Sequence, residues 1–99
     1  MTDALRIERI DSGHVRVAGR LGFAEAAAAL ARSATVTGSG AREVDVDVSG
    51  LASIDSATLA ILLAWAARAR SHGIRLRFSA IPADLGALMR LCDAEPLLV

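Results

Sequence analysis

Four segments of the chain alternate between apolar and polar residues, which is the pattern of half-buried β-strands. The stretch DSGH at 11–14 separates the first two segments and predicts a turn that makes them a hairpin. Each segment keeps one polar or charged side, so we expect helices to cover only one face of the sheet. The apolar positions are Leu5 and Ile7, then Val15 and Val17, then Val44, Val46 and Val48, and finally Ile74, Leu76 and Phe78.

Three further segments have the apolar spacing of helices. They are FAEAAAALARSA from Phe23, SATLAILLAWAARARSHG from Ser56, and PADLGALMRLC from Pro82. The order of elements is then ββαβαβα, and strands that are joined by a helix pair in parallel through a right-handed crossover. We therefore predict an α/β fold with a mixed four-stranded sheet and helices on one face. The length is that of one core, so residues 1–99 should form a single domain.

The charge and the start of the chain narrow the possible functions. Eleven basic and eleven acidic residues give a formal net charge of zero, which provides no surplus to attract nucleic acid. The longest uncharged apolar run, Ala57 to Ala67, is much shorter than the roughly 20 residues of a membrane span. The first ten residues, MTDALRIERI, do not resemble a secretory signal, so we expect a cytoplasmic protein.

The residue types that usually carry catalysis are poorly placed in this sequence. His14 and His72 are far apart, and neither has a carboxylate at the spacing of a metal site or a triad. Ser56 lacks the Gly-x-Ser-x-Gly elbow, and no glycine-rich phosphate loop of the Walker type is present. We expect no catalytic residue, cofactor or metal. The single cysteine, Cys92, is interpreted as a small core residue on the third helix.

The third strand carries three acidic side chains on one face, at positions 43, 45 and 47. Carboxylates two residues apart point the same way and could form a metal cluster. The basic residues Arg75 and Arg77 follow on the next strand, and we favour a solvated face with cross-strand charge pairs.

Asp55 and Ser56 directly precede the most apolar helix. Either side chain can cap the helix, and such a cap is worth about 1 kcal/mol. One cap residue suffices, so Ser56 should be left exposed at the positive helix terminus, where an added phosphate is favoured. The back of this helix is apolar too, with Ile61 and Trp65 among small residues. These two side chains either anchor a partner or pack against the first or third helix.

The segment VDVSGLASIDSATLAILL resembles the STAS domain of bacterial anti-sigma factor antagonists. In that family a phosphorylated serine follows an aspartate at the start of the second helix, and Asp55, Ser56 and Leu59 match this pattern. Ala57 and Thr58 depart from the second hydroxyl and the glycine that follow it. This resemblance implies one function, an anti-sigma factor antagonist that is phosphorylated at Ser56 by a serine kinase.

Residues 43–99 more closely resemble the MlaB family. Its members are the STAS subunits of the Mla phospholipid-transport ABC complexes of Gram-negative bacteria. The matching segments are Asp47–Ser49, Ile54–Leu63, Leu76–Phe78 and Pro82. The resemblance implies a non-catalytic accessory subunit that binds an MlaF-like ATPase, and through it the permease, peripheral to the inner membrane. Such a system maintains outer-membrane lipid asymmetry. The implied partner-binding residues are Asp55, Ser56, Ala57, Thr58, Ala60, Ile61 and Trp65.

Overall fold

The structure is a computed structural model that describes residues 4–38 and 40–92. The predicted order of strands and helices is confirmed. The elements are β1 (Arg6–Asp11), β2 (His14–Arg20), a 3-10 turn (Phe23–Glu25), α1 (Ala26–Ala31), α2 (Ser33–Thr37), β3 (Glu43–Ser53), α3 (Ser56–Ser71), β4 (Arg75–Ser79) and α4 (Ala83–Leu91).

The predicted first helix is divided into the 3-10 turn, α1 and α2. The α1 helix ends at Ala31. The next residue, Arg32, departs from helical geometry, and its N–H donates to the carbonyls of Ala28 and Ala29. Thr35, Val36 and Thr37 follow in α2, and β-branched residues are weak helix formers. The polyalanine stretch therefore does not continue as one straight helix.

The four strands form one sheet in the order β1-β2-β3-β4. The β1 and β2 strands pair antiparallel as a hairpin, whereas β2 with β3 and β3 with β4 pair in parallel, so the sheet is mixed as predicted. Gly50 of β3 lies so close to β2 that a Cβ there would be 2.8 Å from the Cβ of Ala18. Because β2, β3 and β4 are parallel, their carboxyl ends meet at one edge of the sheet.

One face of the sheet is buried beneath the helices and the other is open. The alternate apolar residues on β2, β3 and β4 are buried, while the charged residues between them are mostly exposed. The buried strand residues are Val15, Val17, Val44, Val46, Val48, Leu76 and Phe78. The prediction that helices cover a single face is therefore confirmed.

Trp65 lies in the core. The sequence alone did not decide whether its side of α3 contacts a partner or another helix of the domain. The indole is fully buried, and its Nε1–H donates to the carbonyl oxygen of Ala29 in α1 at 3.1 Å. The short helical pieces before β3 lie over the back of α3 and cover it. Of the two interpretations, packing against the first helix is therefore right, and Trp65 is corrected from a partner anchor to a core residue.

The open face carries the acidic residues of β3. The register places Glu43 beside Arg75 and Asp45 beside Arg77, as predicted. These neighbours are charge-complementary without close contact, since the described residues contain no ion pair within 4.0 Å apart from the one at the β1–β2 turn. Within residues 4–38 and 40–92, no group of His, Cys, Asp and Glu side chains is arranged to hold a metal ion.

Cys92 is exposed at the end of α4, so its interpretation as a core residue is wrong. It follows the last helical residue, and its N–H donates to the carbonyl of Leu88. The α4 helix buries Leu85 and Met89 instead, one turn apart on its inner face.

None of the helices in the described ranges is long and apolar enough to cross a membrane.

Candidate functional site

Asp55 is the N-cap of α3. Its backbone is extended, and its carboxylate Oδ1 accepts a hydrogen bond from the N–H of Thr58 at 3.0 Å. The N–H of Asp55 in turn donates to Oγ1 of Thr58 at 3.1 Å, which completes a reciprocal capping box. Thr58 is fully buried. The threonine that departs from the anti-sigma antagonist pattern therefore has a structural role as the partner of the cap.

Ser56 has no part in this cap. It is the first residue of α3, its side chain is exposed, and within the described residues its hydroxyl has no hydrogen-bond partner. The first N–H groups of a helix are unsatisfied inside the helix and carry partial positive charge. The hydroxyl can therefore donate or accept a hydrogen bond with an approaching molecule, or take up a phosphate.

An apolar groove of about 390 Å³ lies beside Ser56, and we call it the Ser56 groove. One wall comes from the 3-10 turn and α1, and the other from the start of α3. The lining residues are Phe23, Ala26, Leu30, Ser56, Ala57, Ala60 and Ile61. Phe23 is 85% exposed and Leu30 45% exposed, which places them among the few large exposed hydrophobic side chains of the described residues. An exposed apolar patch of this kind indicates an interaction surface.

The seven predicted partner-binding residues separate into three groups. Four of them line the Ser56 groove: Ser56, Ala57, Ala60 and Ile61. Ile61 is 97% buried and so contributes only to the floor. Asp55 and Thr58 form the cap that sets the start of α3, and Trp65 lies in the core. The structure thus concentrates the exposed part of the predicted site in the first turns of α3.

The first wall of the groove was not predicted from the sequence. Phe23, Ala26 and Leu30 precede Ser56 by some thirty residues, and they meet it only because β2 and β3 end at the same edge of the sheet. One signal was present: Phe23 is one of three aromatic residues in the chain and stands at the start of a helix rather than inside it.

A second cavity, of about 410 Å³, lies on the open face of the sheet. At its edge, Nδ1 of His14 lies 2.8 Å from Oδ1 of Asp11, and this hydrogen bond raises the pKa of His14 and lowers that of Asp11. Hydrogen bonds from the side chain and the N–H of Ser49 lower the pKa of Asp47. The ionised forms of Asp11 and Asp47 are thus stabilised, and each carboxylate already accepts a hydrogen bond from a residue two or three positions further along the chain.

The four-stranded mixed sheet with helices on one face agrees with the STAS fold that the sequence resemblance implies. A family model described as "Mlab, STAS domain" matches residues 6–99. The chain therefore belongs to the MlaB family of STAS domains. No curated protein matches the chain in sequence.

Solved structures show the same fold. SpoIIAA, a cell fate determinant of Bacillus, is similar in its phosphorylated form, with 15% identity, a TM-score of 0.69, and coverage of 97% of this chain and 89% of that chain. Its unphosphorylated form has 13% identity, a TM-score of 0.73, and coverage of 97% and 86%. A Thermotoga maritima protein assigned as an anti-sigma factor antagonist has 14% identity, a TM-score of 0.74, and coverage of 95% and 82%.

Proposed function

We propose that this chain is a non-catalytic accessory subunit that binds and supports the ATPase of an Mla-type phospholipid ABC transporter. It acts at the cytoplasmic side of the inner membrane, where it contacts an MlaF-like ATPase and, through it, the permease. The observation that carries the proposal is the Ser56 groove, where an uncommitted hydroxyl stands beside exposed apolar side chains in a chain of the MlaB family.

The groove has the features of a protein contact rather than of a catalytic pocket. Most of its lining is apolar, and among the described lining residues Ser56 supplies the only hydroxyl, beside alanine, leucine, isoleucine and phenylalanine. Aromatic side chains at the centre of an interface commonly supply a large part of the binding energy. Phe23 would lose most of its exposed surface on binding, while Ser56 would supply a directional hydrogen bond at the edge.

Replacement of Phe23 tests the apolar part of this contact. We expect Phe23→Ala to weaken binding to the purified ATPase–permease complex by roughly tenfold or more, as for the loss of an interface anchor. Leu91→Ala is the matched control, because Leu91 is 83% exposed and does not line the groove. Its affinity should equal that of the wild type in the same titration.

Replacement of Ser56 tests the polar part. We expect Ser56→Glu to weaken binding, because the new charge must be desolvated inside a mostly apolar contact. Ser56→Ala serves as the comparison that removes the hydroxyl without adding charge. Unchanged affinity for both Phe23→Ala and Ser56→Glu would remove the Ser56 groove from the interface, and failure of the wild-type chain to bind would overturn the proposed function.

A second candidate function uses the same surface. In this alternative the chain is an anti-sigma factor antagonist, and phosphorylation of Ser56 by a serine kinase expels the partner from the groove. It is favoured by the exposed serine at the first position of a 16-residue helix and by the structural similarity to phosphorylated SpoIIAA. Incubation with ATP and the cognate kinase should then place phosphate on Ser56, and absence of phosphate would count against it.

A further inference from the structure

The two walls of the Ser56 groove meet at Gly22. This residue follows β2 and starts the 3-10 turn that carries Phe23. Its N–H donates to Oε1 of Glu25 at 3.0 Å, and its carbonyl accepts from the N–H of Glu25 at 3.1 Å. The turn is thereby fixed relative to Gly22, so a shift of Gly22 moves Phe23 with it.

On its other side Gly22 abuts the cap of α3. A Cβ at Gly22 would lie 3.1 Å from Oδ2 of Asp55, closer than a carbon and an oxygen normally pack, and 3.5 Å from Oε1 of Glu25. The backbone of Gly22, with φ −103° and ψ −165°, is accessible to any residue. The need for glycine here comes from the close approach to Asp55 and not from the backbone angles.

We infer that Gly22 is a positioning residue that sets the width of the Ser56 groove. Because Gly22 has no side chain, the wall formed by the 3-10 turn and α1 lies directly against Asp55, the N-cap of the helix that forms the other wall. A methyl group at this point must separate the two walls by a few tenths of an ångström or displace the Asp55 carboxylate. The effect of this width on partner affinity rests on the proposed function, whereas the width itself does not.

Gly22→Ala tests the inference, with Gly13→Ala as the matched control. A Cβ at Gly13 would meet its nearest atom at 3.7 Å, an ordinary contact. We expect Gly22→Ala to weaken partner binding roughly tenfold, the effect of an interface contact worth about 1.4 kcal/mol. Gly13→Ala should bind like the wild type. Crystal structures of the free variants should show a wider separation of Phe23 from Ala57 in Gly22→Ala alone.

A second substitution identifies the atom responsible. Asp55→Ser removes Oδ2 but keeps a side chain that can cap α3. In the double variant the added methyl group no longer meets the Asp55 carboxylate, and its remaining neighbour, Oε1 of Glu25 at 3.5 Å, is an ordinary contact, so both the groove width and the affinity should return toward those of Asp55→Ser alone. All four chains of this cycle are titrated with the purified ATPase–permease complex.

The outcomes separate the inference from the proposed function. If the wild type binds the complex and Gly22→Ala binds equally well with an unchanged groove, the inference is wrong and the proposed function stands. If the wild type does not bind, the proposed function is wrong, and the crystal structures still decide whether Gly22 sets the width. Loss of binding that Asp55→Ser does not relieve would also overturn the inference.

Discussion

The Asp55 and Ser56 side chains are adjacent in sequence but should differ sharply in their contribution to stability. Asp55→Ala leaves the N–H of Thr58 without its carboxylate acceptor and removes a negative charge from the helix N-terminus. Loss of an N-cap costs about 1 kcal/mol, within a range of about 0.5–2. In a domain of this size, 1 kcal/mol lowers the melting temperature by roughly 4–8 °C. Ser56→Ala should change the free energy of unfolding by less than about 0.5 kcal/mol, because its side chain is exposed and makes no hydrogen bond to the residues that the structure describes.

Urea titration followed by circular dichroism measures these free energies directly. Asp55→Asn adds a useful comparison, since an asparagine retains the acceptor and loses the charge; it should be intermediate or close to the wild type. Equal losses in Asp55→Ala and Ser56→Ala would refute the division of roles between the two residues. So would an Asp55→Ala chain as stable as the wild type.

Three other predictions concern regions outside the groove. Trp65→Ala should cost about 3–5 kcal/mol of stability, measured by urea titration, because it empties a fully buried site, and a small loss would contradict the packing of the indole. Ala80 has a φ of 54°, so Ala80→Gly should raise the melting temperature by a few degrees rather than lower it. The NMR titration of His14 should give a pKa above its ordinary 6.5, and Asp11→Asn should lower it. The contribution of this pair to stability is fully present between pH 3.8 and 6.5, is lost as the pH rises through the raised pKa of His14, and is lost as the pH falls through the lowered pKa of Asp11.

The strands could be predicted because the alternation is local and nearly complete, and the mixed pairing followed from one hairpin and from helices that join the later strands. Val44, Val46 and Val48 are buried and the acids between them face the open side, as period two requires. The hairpin turn was also encoded locally, since Gly13 donates its N–H to the side chain of Asp11 at 2.8 Å. These features depend on neighbours within a few residues, and tertiary contacts did not override them.

The site was predicted only in part, because half of it depends on tertiary contacts. The sequence identified Ser56 at the start of α3 but not Phe23 and Leu30. These two residues lie in the 3-10 turn and α1, which precede β3, whereas Ser56 follows β3. Trp65 was predicted as a possible site residue, and tertiary contacts instead place it in the core. Its position on the back of a helix that is apolar on both sides fitted an interface equally well, and only the path of α1 across α3 shows that the indole is covered.

Affinity purification of the chain from its native cell, with mass spectrometry of the bound proteins and of the Ser56 peptide, is the most direct test of the proposed function. We expect an ABC ATPase and its permease in stoichiometric amounts with Ser56 unmodified, and we expect the recovery of both proteins to fall in Phe23→Ala but not in Leu91→Ala. Recovery of a serine kinase or an anti-sigma factor instead, with phosphate on Ser56, would contradict it.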